Sequence, residues 1–182
     1  TINGFVGGLN GELDWMTWNW SDDIKKYVSD LTDSVDTILL GRKMTEGFIN
    51  HWTDYAKNKP GSEEYTFANK MVDYHKVVFT KTLDKSIWEN TVLAKGDLTA
   101  EVNKLKNQKG KDIIVYGGAE FVSSLVKENL IDEYYLFINP AVIKEGLTIF
   151  NKISEMKKLS LTNSKHFDCG INLLCYKFSK ES

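Results

Sequence analysis

The sequence predicts an α/β fold built on a mixed, mostly parallel sheet with an antiparallel C-terminal hairpin. Three observations carry that expectation. Short apolar runs alternate with amphipathic stretches through most of the chain, and one run, Lys111-Asp112-Ile113-Ile114-Val115-Tyr116, passes straight into Gly117-Gly118 and then an amphipathic helix. Near the end, Lys158 to Lys165 and Ile171 to Phe178 flank the turn-forming cluster Asp168-Cys169-Gly170, as the arms of a hairpin would. Alternating strands and helices place parallel strands under helices on both faces, with an antiparallel edge at the end.

Taken in order, Ser21 reads as the N-cap of a helix with Asp22 and Asp23 in its first turn and Ile24, Tyr27, Val28 and Leu31 on one face. Thr37-Ile38-Leu39-Leu40 is a buried strand that ends at Gly41, and Gly41-Arg42-Lys43 opens a second helix running through Phe48. A third helix, Glu63 to Val72, turns Phe67, Ala68, Met71 and Val72 inward. Strands follow at His75 to Thr80 and Thr91 to Ala94, then a helix at Thr99 to Lys106 with Val102 and Leu105 as its apolar positions. After the glycine pair, Phe121, Val122, Leu125 and Val126 share a helix face, and Glu133 to Ile138 is a further strand.

Composition narrows the class. The chain of 182 residues suits one domain with one well-buried core, and 42% hydrophobic with 26% charged residues is ordinary for a globular protein. A net charge of −2 supplies no basic field, so no nucleic-acid partner is expected. No apolar run is long enough for a membrane span and the first residues lack a signal-peptide pattern, so the expectation is a cytoplasmic protein with no membrane partner. Cys169 and Cys175 are the only cysteines, and without histidines at metal spacing they are expected as free thiols, with no metal site.

In parallel sheets ligands bind beyond the carboxyl ends of the strands. Three such ends are chemically alike: Gly41-Arg42-Lys43, Thr80-Lys81-Thr82, and Gly117-Gly118. The glycine pair reads either as a tight strand-to-helix turn or as a phosphate cradle, in which backbone approaches the anion closely and the next helix offers its N-terminal N–H groups. Arginine adds a planar fork for phosphate and lysine a compact charge, which favours the cradle. Three tryptophans lie close together in Asp14-Trp15-Met16-Thr17-Trp18-Asn19-Trp20, flat walls for a heterocycle or a cover for the core edge.

These motifs fall in the order seen in dihydrofolate-reductase-like proteins: Asp36 to Phe48 with its Leu40-Gly41-Arg42-Lys43 centre, Val77-Val78-Phe79-Thr80-Lys81, and Ile114-Val115-Tyr116-Gly117-Gly118-Ala119-Glu120. The opening Thr1-Ile2-Asn3-Gly4-Phe5-Val6, the segment Leu130 to Leu136, Asn139-Pro140 and Leu147-Thr148-Ile149-Phe150 extend the match over nearly the whole chain. The chain most resembles the branch that includes the C-terminal reductase domain of the bifunctional riboflavin-biosynthesis deaminase-reductase.

The resemblance implies a three-layer α/β/α domain with NADPH across the strand ends. By position, Gly41, Arg42 and Lys43 would hold adenosine-side phosphates, Thr80 and Lys81 the 2′-phosphate, and Gly117, Gly118, Ala119 and Glu120 the pyrophosphate, the two glycines being joined by a cis peptide in the family. Glu120 stands where dihydrofolate reductases carry an arginine. Asp23 follows Trp18-Asn19 at the spacing of the family's substrate-anchoring acid and is the candidate proton source, with Asp14 or bound water as alternatives. Trp15, Trp18 and Phe48 are the candidate substrate walls. The implied activity is that of an NADPH-dependent oxidoreductase passing a hydride to a pterin-like or pyrimidine-like heterocycle, as a homodimer joined through the Tyr134 to Phe137 strand and the C-terminal hairpin. The alternative is a catalytically inactive nucleotide-binding or drug-binding protein on the same fold.

Overall fold

The computed structural model describes residues 1–62 and 64–179. Two compact units emerge, one of Ser29–Val122 and one joining Thr1–Val28 to the chain from Ser123 onward. Helix α1 (Asp22–Asp33) and helix α5 (Ala119–Lys127) each run through a boundary between them.

Within Ser29–Val122 lie β1 (Val35–Gly41), α2 (Arg42–Asn58), α3 (Tyr65–Asp73), β2 (His75–Phe79), β3 (Thr91–Ala94), α4 (Leu98–Lys106) and β4 (Asp112–Val115). The four strands are all parallel, in the order β3-β2-β1-β4. An inner strand of such a sheet is buried on both faces, so β1 reads as a continuous apolar run rather than an alternating one. Ile38 and Leu40 are fully buried in one cluster with Met71 and Val78. Removing a side chain of that size from water contributes about 1.5–3 kcal/mol.

Helix α2 runs well beyond Phe48, where the sequence suggested it would end. Phe48, Ile49 and Trp52 continue one apolar stripe onto the Ile38 cluster. Trp52 meets Phe48 at 6.3 Å and Phe67 of α3 at 5.0 Å between ring centroids, edge to face. That packing outweighs the roughly 1 kcal/mol that Gly47 costs a helix relative to alanine. The expected start of α3 at Glu63 lies outside the described residues, and the helix is seen from Tyr65. Asp97 caps α4, its carboxylate accepting from the Ala100 N–H at 3.0 Å.

The second unit holds β5 (Glu133–Ile138), β6 (Leu159–His166) and β7 (Asn172–Phe178), paired antiparallel in the order β5-β7-β6. The fold class is the expected α/β, with one refinement: the parallel and antiparallel strands form two separate sheets. β7 takes all six residues of β5 as partners on one side and β6 on the other. The hairpin turns at Asp168-Cys169-Gly170, where Gly170 has φ +87° and donates its N–H to the Phe167 carbonyl at 2.8 Å. Phe167, Ile171, Leu173 and Cys175 bury themselves with Ile24 of α1. Both cysteines are free.

Lys76 on β2 was unforeseen as a core residue, being only 2% exposed. Its ammonium donates to the carbonyls of Met71, Val72 and Tyr74 at 3.2, 2.7 and 2.7 Å, closing the C-terminal end of α3. Burial pulls its pKa down to about 8. Lys76→Met strands these carbonyls, and urea unfolding at neutral pH is expected to show a loss of about 1–3 kcal/mol. Between pH 8 and 10.5 the native state holds fewer protons on this lysine than the unfolded chain, so wild-type stability gains with rising pH and its gap over the variant widens.

Candidate functional site

The site is built on the carboxyl ends of β1, β2 and β4. Because β1 lies between the other two in parallel register, with Gly41 opposite Phe79 and Leu39 opposite Val115, the three ends leave the sheet along one edge. Gly41 closes β1 and also begins α2 as its N-cap, with no side-chain cap. A Cβ on Gly41 would lie 2.7 Å from the Cβ of Phe121, so the first turn of α5 rests directly on the end of β1.

Gly117 and Gly118 carry the chain from β4 into α5 with φ of +156° and +77°. The second lies in the left-handed region that glycine occupies without steric cost. No peptide among the described residues is cis, so the cis bond expected between these glycines is corrected: two positive φ angles make the turn instead. The Gly118 carbonyl accepts from the N–H groups of Phe121 and Val122 at 2.8 and 3.0 Å, starting α5. Met44 and Phe121 flank the pair at ordinary contact distance. Ala119 and Glu120 form the first turn, with Glu120 exposed.

The polar residues at this edge divide into those that build it and those left open. Thr80 is buried, and its hydroxyl oxygen accepts from the N–H groups of Thr82 and Leu83, each at 3.1 Å. Lys81 donates to the carbonyls of Lys95 and Gly96, each at 2.7 Å. Both hold the loop after β2 in shape. Arg42 and Lys43 are exposed on the first turn of α2, and Arg42 donates from Nε to the Thr82 hydroxyl at 3.0 Å. Thr82 belongs to the Thr80-Lys81-Thr82 strand end that the sequence marks, and its contact with Arg42 is a role that the sequence did not assign to it.

Beside the glycines, Tyr116 stacks on Phe48 of α2 with centroids 5.7 Å apart and planes 29° from parallel. The Tyr116 side chain stays partly open, yet burial pushes its phenol well above the ordinary value, so it remains a neutral O–H donor. Phe48 is the one substrate-wall candidate in this unit; Trp15, Trp18, Asp14 and Asp23 belong to the other.

There Asp23 is engaged on both oxygens. Oδ1 accepts from the Ser21 hydroxyl and the Ile24 N–H, and Oδ2 from the Asp168 N–H at 3.2 Å, while the Ser21 oxygen accepts from the Cys169 N–H at 3.1 Å. These contacts pin the start of α1 to the hairpin turn. The Ser21 hydrogen bond foremost, with the two backbone N–H groups, holds the carboxyl below its ordinary range. Asp23 is therefore ionised and equipped to accept hydrogen bonds rather than to donate a proton. Asp14 is exposed on its loop. Trp15 donates to the Glu12 carbonyl at 3.2 Å, and Trp18 is 65% exposed. The loop is tied down by the Thr17 N–H, donating to the buried Asn139 side chain at 2.9 Å.

The family model of the RibD C-terminal domain matches residues 1–173 of this chain. The chain belongs to that family. This RibD C-terminal domain is 32% identical over 180 residues to the uncharacterized protein YyaP of Bacillus subtilis (strain 168), covering 98% of this chain and 91% of YyaP. Among solved structures, a putative riboflavin biosynthesis protein from Shewanella sp. PV-4 is similar with a TM-score of 0.73 at 18% identity, over 98% of this chain and 94% of that one. The Thermotoga maritima diaminohydroxyphosphoribosylaminopyrimidine deaminase/5-amino-6-(5-phosphoribosylamino)uracil reductase gives 0.68 at 16% identity, over 98% of this chain and 54% of the larger protein. The chain thus shares its fold with both of these proteins. Among the described residues no helix of the domain is long and apolar enough to cross a membrane.

Two substitutions test this geometry. Gly41→Ala forces a methyl group into Phe121 and is expected to cost about 1–3 kcal/mol in equilibrium unfolding, as overpacking does. Asp23 has a depressed pKa in the native state, so its contribution is present at neutral pH and is lost as pH falls through the acidic range. Acid-unfolding curves of wild type and Asp23→Asn are expected to differ at neutral pH and to converge below about pH 4, the ordinary aspartate value.

Proposed function

We propose that this RibD C-terminal domain is an NADPH-dependent reductase that delivers a hydride to a C=N or C=O bond of a pyrimidine-like or pterin-like heterocycle. The observation that carries the reading is the shared strand edge, where the exposed Arg42 and Lys43 at the start of α2 adjoin a left-handed glycine turn at the start of α5. The chemistry of these groups fits the dinucleotide. A guanidinium and an ammonium match phosphate oxygens, and a turn made of two glycines lets backbone approach an anion closely. When bound, NADPH supplies the hydride from its nicotinamide ring.

The chain's own residues then have three tasks. Arg42 and Lys43 bind phosphate and offer the cations that distinguish a phosphorylated ribose from a plain one. Gly118 and the first turn of α5 present backbone N–H groups to the pyrophosphate. The Phe48–Tyr116 pair supplies a flat apolar wall and one neutral hydroxyl donor for a ring. With Asp23 ionised, the proton is supplied by bound water or the substrate itself.

A second reading, dinucleotide binding without turnover, draws its support from that same engaged Asp23. Oxidation of NADPH in the presence of dihydrofolate, and separately of 5-amino-6-(5-phosphoribosylamino)uracil, discriminates the two. Turnover with either establishes the reductase; tight NADPH binding with neither leaves a binder. Arg42→Ala is expected to weaken NADPH about 10- to 100-fold in a fluorescence titration, the worth of a charged hydrogen-bonded pair, while NADH changes little. Equal losses for both cofactors would contradict the phosphate role of Arg42.

A further inference from the structure

We infer that Thr82 is a positioning residue that sets the preference for a phosphorylated ribose by holding the guanidinium of Arg42; the inference rests on the NADPH reading above. The buried Thr80 hydroxyl accepts the backbone N–H groups of Thr82 and Leu83, each at 3.1 Å, which fixes the turn after β2 from below. That turn places the Thr82 hydroxyl to accept from Arg42 Nε at 3.0 Å, a contact between residues 40 positions apart. The two hydroxyl oxygens stand 3.5 Å from each other.

Arg42 is thereby held by its inner nitrogen, and its two Nη groups, the prongs that form a bidentate pair with phosphate, have no partner among the described residues. A free arginine loses rotamer freedom when it is immobilised. Anchoring Nε in advance reduces that loss at binding. The Thr82 oxygen acts as acceptor toward Arg42 and touches the anion only through that guanidinium. Thr82 thus acts on the phosphate that Arg42 recognises and has no contact that a ligand lacking that phosphate would use.

The test is a double-mutant cycle read by intrinsic tryptophan fluorescence, with NADPH and NADH as probes and thermal melts as a control of folding. Thr82→Val is expected to raise the Kd for NADPH about fivefold, the worth of one hydrogen bond, with NADH unchanged. Thr82→Ser, which keeps the hydroxyl, should stay within about twofold of wild type, and Arg42→Ala with Thr82→Val should equal Arg42→Ala alone within about twofold. If Arg42→Ala lowers the preference for NADPH while Thr82→Val leaves it intact, or if the two losses simply add, Thr82 does not position Arg42 and the inference falls with the site reading still standing. If Arg42→Ala changes NADPH and NADH alike, or the wild type binds neither, the site reading falls and takes this inference with it.

Discussion

The constraint on which the site depends is the bare backbone of Gly41 against Phe121, where a single added carbon would come within 2.7 Å of the Phe121 Cβ. One residue here ends the inner strand β1, pairs with Phe79 of β2, begins α2 and supports α5. Phe121 in turn packs on Phe79 with ring centroids 5.0 Å apart. The starts of two helices are thus set against one strand end, and the Gly117-Gly118 turn is fixed by what it must connect. A close-packed contact of this kind transmits displacement, since interiors hold few voids to absorb it.

Polar side chains around that contact are spent on architecture as much as on display. Thr80 and Lys81, which the resemblance would set on a phosphate, place most of their hydrogen-bonding capacity on the local backbone. The division has a physical reason. The loop after β2 exposes backbone carbonyls and N–H groups that need partners, and a buried hydroxyl or a long ammonium stem is the nearest source. Arg42 and Lys43, on the first turn of a helix whose carbonyls are already engaged, have no such duty and extend outward.

How much of this was legible varied with the range of the interaction that decides it. Local signals were sufficient for β1, β2, β3 and β5, whose apolar runs end at turn residues, and for the α4 and hairpin boundaries to within a residue or so. The length of α2 was hidden because Gly47 looks like a stop, and only packing on Phe67 and the Ile38 cluster shows why the helix continues. Lys76 reads as a surface lysine until α3 is placed over it. The roles of Thr82 and of the Phe48–Tyr116 stack depend on residues far apart in the chain, which no periodicity records. Asp23 was found by spacing, but its hydrogen bonds to the hairpin turn, which bear on whether it can give a proton, come from tertiary structure.

The edge also has a polarity of its own. At the β1 and β2 ends stand Arg42 and Lys43 with the Thr82 hydroxyl; at the β4 end stand the glycine turn and the neutral Phe48–Tyr116 stack. A ligand with an anionic end and a flat uncharged end is oriented by such a gradient without any base-specific contact, because reversing it would set phosphate against aromatic faces and leave both cations unpaired. Desolvating a charge without a partner costs far more than a misplaced ring contact. On the reading proposed above, a dinucleotide would lie along the edge with its phosphorylated ribose toward Arg42 and its nicotinamide end toward Tyr116. The Tyr116 phenol is uncharged at neutral pH, as an ordinary phenol is, and burial moves its pKa further up.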